Sequence, residues 1–555
     1  MGSNLSQPET SQGEYPRFDP SIGSQNPSTG IAGALFMLAL VAVYALFKTY
    51  ALKNGGPPVA DCLAFFPKSA RFATINREYF DIMGVVFTGF LFMVTWEFSR
   101  DRAERRPVLG MCLSGVAAAA IALERGARHA DAQTFRRLGW DWTSFEAALA
   151  LVCAGLCAVW VLRLATRYTP RPVQPALRAL KAGSARWAAG LLFFTLIMVI
   201  FITHPFYRDG YYENWRITVS YLYLAYLTAG LPYAFVTNWL RKSVGEDRRD
   251  PGFMILLIAR AALRRARGGG AKRFSMVARN RATLAALRDL GVKFFFVPLM
   301  VTFLFVECGE FFQNFPPLLR SVADFYANPS SFFEGAFTPG KPNRVSGMFN
   351  QFYFSAFHGI FVMDVGLSLV GYICASRWLG NKSKSVDPSL SGWLVALICY
   401  PPFNGITTGY MPYGRSFGDM PYLAFAQYGM LDATTALALA DALDVSLKIV
   451  TLAAFGVYVW ATMSFGLRFS NLTNRGIIAR GPYAWIRHPA YVSKNIAWWA
   501  ENVRGFSSLW QIIFLAAWNY IYYLRALTEE RHLMSDPDYR AYREKVRHGF
   551  IPGFF

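Results

Sequence analysis

Residues 31–52 read IAGALFMLALVAVYALFKTYAL, twenty-two positions with one charged side chain, Lys48. A helix rises about 1.5 Å per residue and the hydrocarbon core of a bilayer is about 30 Å thick, so about 20 apolar residues cross it. The run therefore predicts a membrane-spanning helix. Comparable runs recur at 80–98, 107–123, 144–165, 187–203, 218–239, 292–312, 351–376, 392–410, 443–466 and 507–527, while 421–440 and 489–503 are ambiguous. Composition agrees, since the 555 residues are 54% hydrophobic and 16% charged, against about 25% charged in soluble domains. The expected fold class is an all-α polytopic membrane protein with about 11 transmembrane helices (roughly 10–13). A string of soluble domains and a disordered chain are both excluded.

Loops rich in Lys and Arg stay on the cytoplasmic side. Residues 241–293 carry fourteen basic side chains against four acidic ones, which places this stretch inside. Within it FMILLIARAALRRAR (253–267) is apolar first and Arg-rich later and stops at Gly268, Gly269 and Gly270, the pattern of a helix lying on anionic headgroups. Interleaved aromatics for base stacking are missing, so no nucleic acid partner is expected. Counting back from there, the loop 166–186, two crossings earlier, and the amino terminus, six crossings earlier, fall inside; the loop 51–79, with Lys53, Lys68, Arg71 and Arg77, falls outside against the rule. Later, 313–350 is expected as an outer loop, Arg377, Lys382 and Lys384 inside, and the basic carboxyl-terminal segment inside. Parity then makes 421–440 a non-spanning or re-entrant element. The Pro- and Gly-rich CYPPFNGITTGYMPYGRSFG (399–418) reads as an outer loop or cavity lining.

The seven cysteines contain no CxxC pair and mostly fall in apolar runs, and the six histidines contain no HExxH. They read as buried small hydrophobes and scattered imidazoles, with no metal site. Residues 1–30 are polar and read as a disordered tail without a signal peptide. Its opening MGSNLS fits an N-myristoylation pattern on Gly2, or is simply part of the polar tail.

Chemistry concentrates near the carboxyl end. RFSNLTNRGIIARGPYAWIRHPAYVSKNIAWWAENV (468–503) is followed by an apolar helix and then YYLRALTEERHLMSDPDYRAYREKVRHGFIPGFF (522–555). Arg487, His488, Lys494 and Glu501 lie among Trp485, Tyr491, Trp498 and Trp499, and ionisable groups against membrane are costly unless paired or used. Arg525 and Glu529, four apart, share a helix face, a spacing that allows an ion pair.

These residues resemble the isoprenylcysteine carboxyl methyltransferase family and its relatives, the phospholipid methyltransferases. The resemblance rests on Gly481, Tyr483, Arg487, His488, Pro489 and Tyr491, then Arg525, Glu529, Glu530 and Leu533, then Tyr539, Tyr542, Val546 and Pro552. It covers about the last 90 to 110 residues and departs at Ser493, where the family usually has Gly. It implies S-adenosylmethionine as cofactor, bound at the cytoplasmic membrane face, and a lipid-like or hydrophobic methyl acceptor. It implies Arg487, His488 and Glu529 as catalytic residues, and Tyr483, Arg487, His488, Pro489, Tyr491, Arg525, Glu529 and Glu530 as cofactor contacts. The cofactor's carboxylate suits a guanidinium, and its ammonium and hydroxyls suit carboxylates. His488 is a donor or a base. Three other readings stand beside this one: an aromatic interfacial anchor, an NADPH-dependent sterol or steroid reductase with a similar carboxyl-terminal segment, and a non-catalytic lipid or glycan transporter.

The implied organisation is a tail (1–30), a six-span region (31–240), a basic interfacial segment (241–292), a membrane region with outer loops (293–440) and a methyltransferase-like core (441–555). Outside that core, Glu307, Glu310, His358 and Asp364 form either a second, proton-linked or metal-binding pocket, or a helix-end acidic pair with one satisfied histidine. Oligomeric state is not legible.

Overall fold

In the computed structural model the described residues are 28–53, 77–98, 152, 156, 175–239, 251–268, 281–333, 344–374, 381–404, 428–503 and 509–551. They form helices α1 (Thr29–Lys53), α2 (Arg77–Phe98), α3 (Ala176–Thr203), α4 (Glu213–Trp239), α5 (Pro251–Ala266), α6 (Arg281–Ala327), α7 (Arg344–Ile373), α8 (Leu390–Leu397), α9 (Ala433–Phe465), α10 (Pro489–Asn502), α11 (Leu509–Leu533) and α12 (Pro537–Lys545), with single helical turns at Pro205–Arg208 and Ser330–Phe333. Two short strands, β1 (Ser385–Val386) and β2 (Thr473–Asn474), pair antiparallel, with Ser385 opposite Asn474. The chain is an all-α membrane protein.

Five helical stretches among the described residues are long and apolar enough to span: Thr29–Leu46, Ala176–Thr203, Thr283–Ala327, Arg344–Ile373 and Ala433–Arg468. Their outward side chains are apolar, as at Leu192, Leu196, Val199, Ile449 and Val450, the reverse of a soluble surface and the pattern lipid contact requires. The other expected runs differ in instructive ways. Residues 80–98 form α2, whose apolar part is shorter, Ile82–Glu97. Residues 218–239 and 509–527 are helical in α4 and α11, but polar side chains dilute them. In run 392–410 the helix α8 ends at Leu397 and the described chain turns on to Asn404, where Pro401 and Pro402 supply no N–H to continue a helix. Runs 107–123 and 144–165 lie outside the described residues, apart from Val152 and Leu156, as do the tail to 27 with its MGSNLS motif, most of the loop 51–79, and 405–427.

Two sequence expectations change. The outer loop expected over 313–350 is largely helix, since α6 runs on to Ala327 and α7 starts at Arg344. The separate element expected over 421–440 is, from Ala433, the start of α9, whose first turn is capped by Asp432 Oδ1 accepting from Thr435 N at 3.0 Å. The boundaries drawn at 292 and 440 thus fall inside α6 and α9. Conversely, α5 forms where the amphipathic pattern placed it and stops at Gly268, whose φ of 80° only glycine adopts freely.

Lipid offers apolar side chains no penalty, so helices associate through close packing. α6 and α7 form the central pair, with Phe296 stacked on Tyr372 at 5.2 Å. α1 lies against both, through Met37 and Val41. A Cβ on Gly30 would stand 1.8 Å from Met463 O, so the α1 backbone rests directly on the last turns of α9. α10 packs on α9, and Phe455, Trp498, Trp518 and Tyr522 tie α9, α10 and α11 together. With fourteen residues, α10 is about 21 Å long and too short to span. It forms a hairpin with α11 whose two ends meet on one face.

Candidate functional site

That meeting point gathers the carboxyl-terminal motif. Pro489 opens α10, where its missing N–H costs nothing because first-turn amides have no partner within the helix. This fixes Arg487 and His488 at the helix mouth. The antiparallel return of α11 then brings Arg525, Glu529 and Glu530 beside them.

Glu530 Oε1 accepts from Arg487 Nε at 2.7 Å and from His488 Nε2 at 3.0 Å. Burial pushes the Glu530 carboxyl up, but the hydrogen bonds from His488 and Arg487 outweigh it and hold the group down at about 2. Ionised, it only accepts, so His488 donates through Nε2. Arg487 Nη1 donates to Val546 O at 2.9 Å and to Arg547 O at 2.5 Å. The backbone N–H groups of Arg487 and His488 donate to His548 O and Gly549 O, each at 3.0 Å. The His488 ring stacks between Tyr491 and Phe550. The chain after α12 is thereby strapped across the site.

Glu529 turns the other way and accepts from the Tyr491 hydroxyl at 2.7 Å. Arg525, which the four-residue spacing would allow to pair with it, takes other partners. Its guanidinium lies 5.2 Å from the Tyr491 ring centre, 5.6 Å from Tyr400 and 5.8 Å from Tyr522, and Nη2 donates to Asn471 Oδ1 at 2.7 Å. Asn471 in turn donates to the hydroxyls of Tyr372 and Tyr400. Arg525 is thus caged by aromatic faces, a favourable setting for a desolvated guanidinium.

Two adjoining clefts open here. Both are lined by Tyr483, Arg487, His488, Tyr491, Arg525 and Glu529. Asn471 also lines both, and the first adds Arg475, Thr528 and His532. The second adds Tyr400, Tyr458, Thr462 and Lys494. Burial holds the His532 imidazole below its usual pKa, which leaves it neutral at pH 7. Six of the eight residues singled out from the sequence therefore line both clefts. Glu530 supports Arg487 and His488 from behind, and Pro489 acts through the backbone. Arg487, expected to meet a cofactor carboxylate, already commits Nε and Nη1 to the protein, whereas Arg525 and Glu529 stand together in the clefts.

Sequence reasoning passed over Asn471 and Tyr458, which carry no motif, while Tyr400, within the stretch read as an outer loop or cavity lining, lines the second cleft. It also grouped Asp364 with His358. Six positions on a helix turn through about 240°, and the two face different neighbours. His358 Nδ1 meets Glu307 Oε2 at 2.8 Å, while Asp364 accepts from Tyr458 OH at 2.9 Å and Thr462 Oγ1 at 2.7 Å beneath the second cleft. Lys494 Nζ lies over the Tyr458 and Trp498 rings, at 5.0 and 5.3 Å. Among the described residues no three His, Cys, Asp or Glu side chains gather as a metal site, and Cys308, Cys374 and Cys399 are not in disulfides.

Comparison of the chain with family models, with curated proteins and with solved structures gave no match.

Proposed function

We propose that the chain is an S-adenosylmethionine-dependent integral membrane methyltransferase, acting at the cytoplasmic membrane face on a lipid-embedded or hydrophobic acceptor. The observation that carries this reading is the convergence of Arg525 and Glu529, a caged cation and a carboxylate, in clefts walled by Tyr483 and Tyr491. The donor set fits the cofactor: a guanidinium for its carboxylate, a carboxylate for its ammonium or ribose hydroxyls, and aromatic faces for a sulfonium. Bound there, S-adenosylmethionine would supply an electrophilic methyl group. Arg525 and Glu529 would fix its position, Arg487, His488 and Glu530 would hold the mouth of α10 and the overlying strap, and the strap would exclude water. Positioning is worth up to about 7 to 11 kcal/mol in well-oriented systems, and a carboxylate acceptor needs no general base. The basic excess of 241–293 supports a cytoplasmic carboxyl terminus, and the full run count supports about 11 helical segments at membrane depth.

Membranes containing the protein, incubated with cofactor labelled in the methyl group, should transfer label to an extractable hydrophobic product, and Glu529→Gln should lower the rate by roughly 100-fold or more. Label incorporation equal in wild type and variant would remove the assignment.

A further inference from the structure

Methyl transfer as described employs Arg525 and Glu529 for the cofactor and leaves one cation of the site without a task. Lys494 lines the second cleft and not the first. On α10 it lies four and three positions beyond Ala490 and Tyr491, which line the same cleft, so helical spacing sets all three on one stripe. Resting on the methyltransferase reading, we propose that the second cleft is the acceptor subsite, that the acceptor carries an anionic oxygen headgroup on an apolar chain, and that Lys494 selects it.

Lys494 Nζ stands over the Tyr458 and Trp498 rings. Ring faces attract a cation, but an ammonium also has three N–H donors to satisfy, and among the described residues no oxygen takes them. The nearby carboxylates are turned to other donors: Asp364 accepts from Tyr458 and Thr462, Glu529 from Tyr491, and Glu530 from Arg487 and His488. Asp364 offsets the Lys494 charge through space without taking a hydrogen bond from it. The ammonium is not sealed in. It borders the open space of the cleft, where a ligand oxygen can reach it.

Charge balance sets the sign of the acceptor. Arg487 is matched by Glu530, and Lys494 and Arg525 by Asp364 and Glu529, so the clefts are near neutral before ligands enter. S-adenosylmethionine brings a sulfonium and an ammonium against a single carboxylate, a net positive charge. An anionic acceptor closes that balance at membrane depth, where uncompensated charge is expensive. A protonated amine would double the excess, and an alcohol would leave it and require a base. With an anionic oxygen, one electron pair forms the new O–C bond while the S–C bond breaks and its pair returns to sulfur. No proton moves, and the sulfonium and oxyanion charges both vanish in the products. Tyr400, Tyr458, Phe465, Phe469, Tyr483 and Tyr522 wall the rest of the cleft, an apolar surround for the chain next to the headgroup.

The test uses the full chain in nonionic detergent at fixed concentration, titrated by calorimetry with dodecanoate, dodecylamine and dodecanol. Wild type should bind dodecanoate saturably, and the amine and alcohol roughly tenfold or more weakly, the difference of one charge-assisted contact. Lys494→Met keeps the stem and removes the charge, so it should weaken dodecanoate binding roughly tenfold or more and erase that selectivity. The same variant should not weaken binding of S-adenosylmethionine, whose contacts lie at Arg525 and Glu529. Absence of saturable dodecanoate binding, equal affinity for the amine, or an unchanged dodecanoate affinity in Lys494→Met would each overturn the proposal, as would weakened cofactor binding in a variant that keeps its thermal midpoint. The first two outcomes need no variant and decide the matter even if the substitution unfolds the chain. S-adenosylmethionine binding without dodecanoate selectivity would remove this proposal alone, whereas selectivity without S-adenosylmethionine binding in wild type would remove the methyltransferase reading and the acceptor role with it.

Discussion

Adjacent residues on a helix point about 100° apart, and on α11 that rotation gives Glu529 and Glu530 different work. Glu530 holds Arg487 and His488 and, through Arg487, the strap over the site. Arg487→Ala should therefore cost on the order of 3–5 kcal/mol, because it leaves the Glu530 carboxylate buried and short of its guanidinium. The variant should lower the thermal midpoint in detergent and speed tryptic cleavage at Arg547. Glu529→Gln should leave the midpoint unchanged. The pH dependence has a definite sign. Glu530 is held at about 2, below its ordinary 4.5, so its contribution is complete above about pH 4.5 and is lost as pH falls toward 2. The Arg-His-Pro turn and the Glu pair were legible as one cluster in the chain. Which glutamate faces the cleft was not, because that depends on the rotational phase of α11 against α10, set by packing at Trp498, Trp518 and Tyr522.

Helix extent was legible where composition is decisive and obscure where a cap decides. α1 and α6 contain their apolar runs as read, and α7 and α9 carry theirs as far as Ile373 and Phe465. The polar-looking start of α9 escaped, since Asp432 within an apolar segment resembles an interruption until its cap to Thr435 is seen. The junction of α1 with α9 was equally silent, because nothing local marks Gly30 as a contact with Met463 O. Gly30→Ala should force the two helices apart and destabilise the protein by about 1–3 kcal/mol, read as a lower thermal midpoint, whereas Gly456→Ala, whose added Cβ meets nothing within 4 Å, should not.

For the molecule as a whole, the contact of Arg487 and His488 with Glu530 requires α10 and α11 to enter and return on one face. A single crossing by 507–527 would have carried Glu530 to the other side of the bilayer. The proposed topology puts Arg264 and Glu544 on one side, so single cysteines there should be labelled by an impermeant maleimide from the same side of sealed vesicles; labelling from opposite sides would break the topology. The central claim concerns the clefts between those helices. Isothermal calorimetry of the full chain in detergent should show saturable binding of S-adenosylmethionine, lost in Arg525→Ala and in Glu529→Gln, and no binding of NADPH. Binding of NADPH alone, or of neither compound, would contradict it.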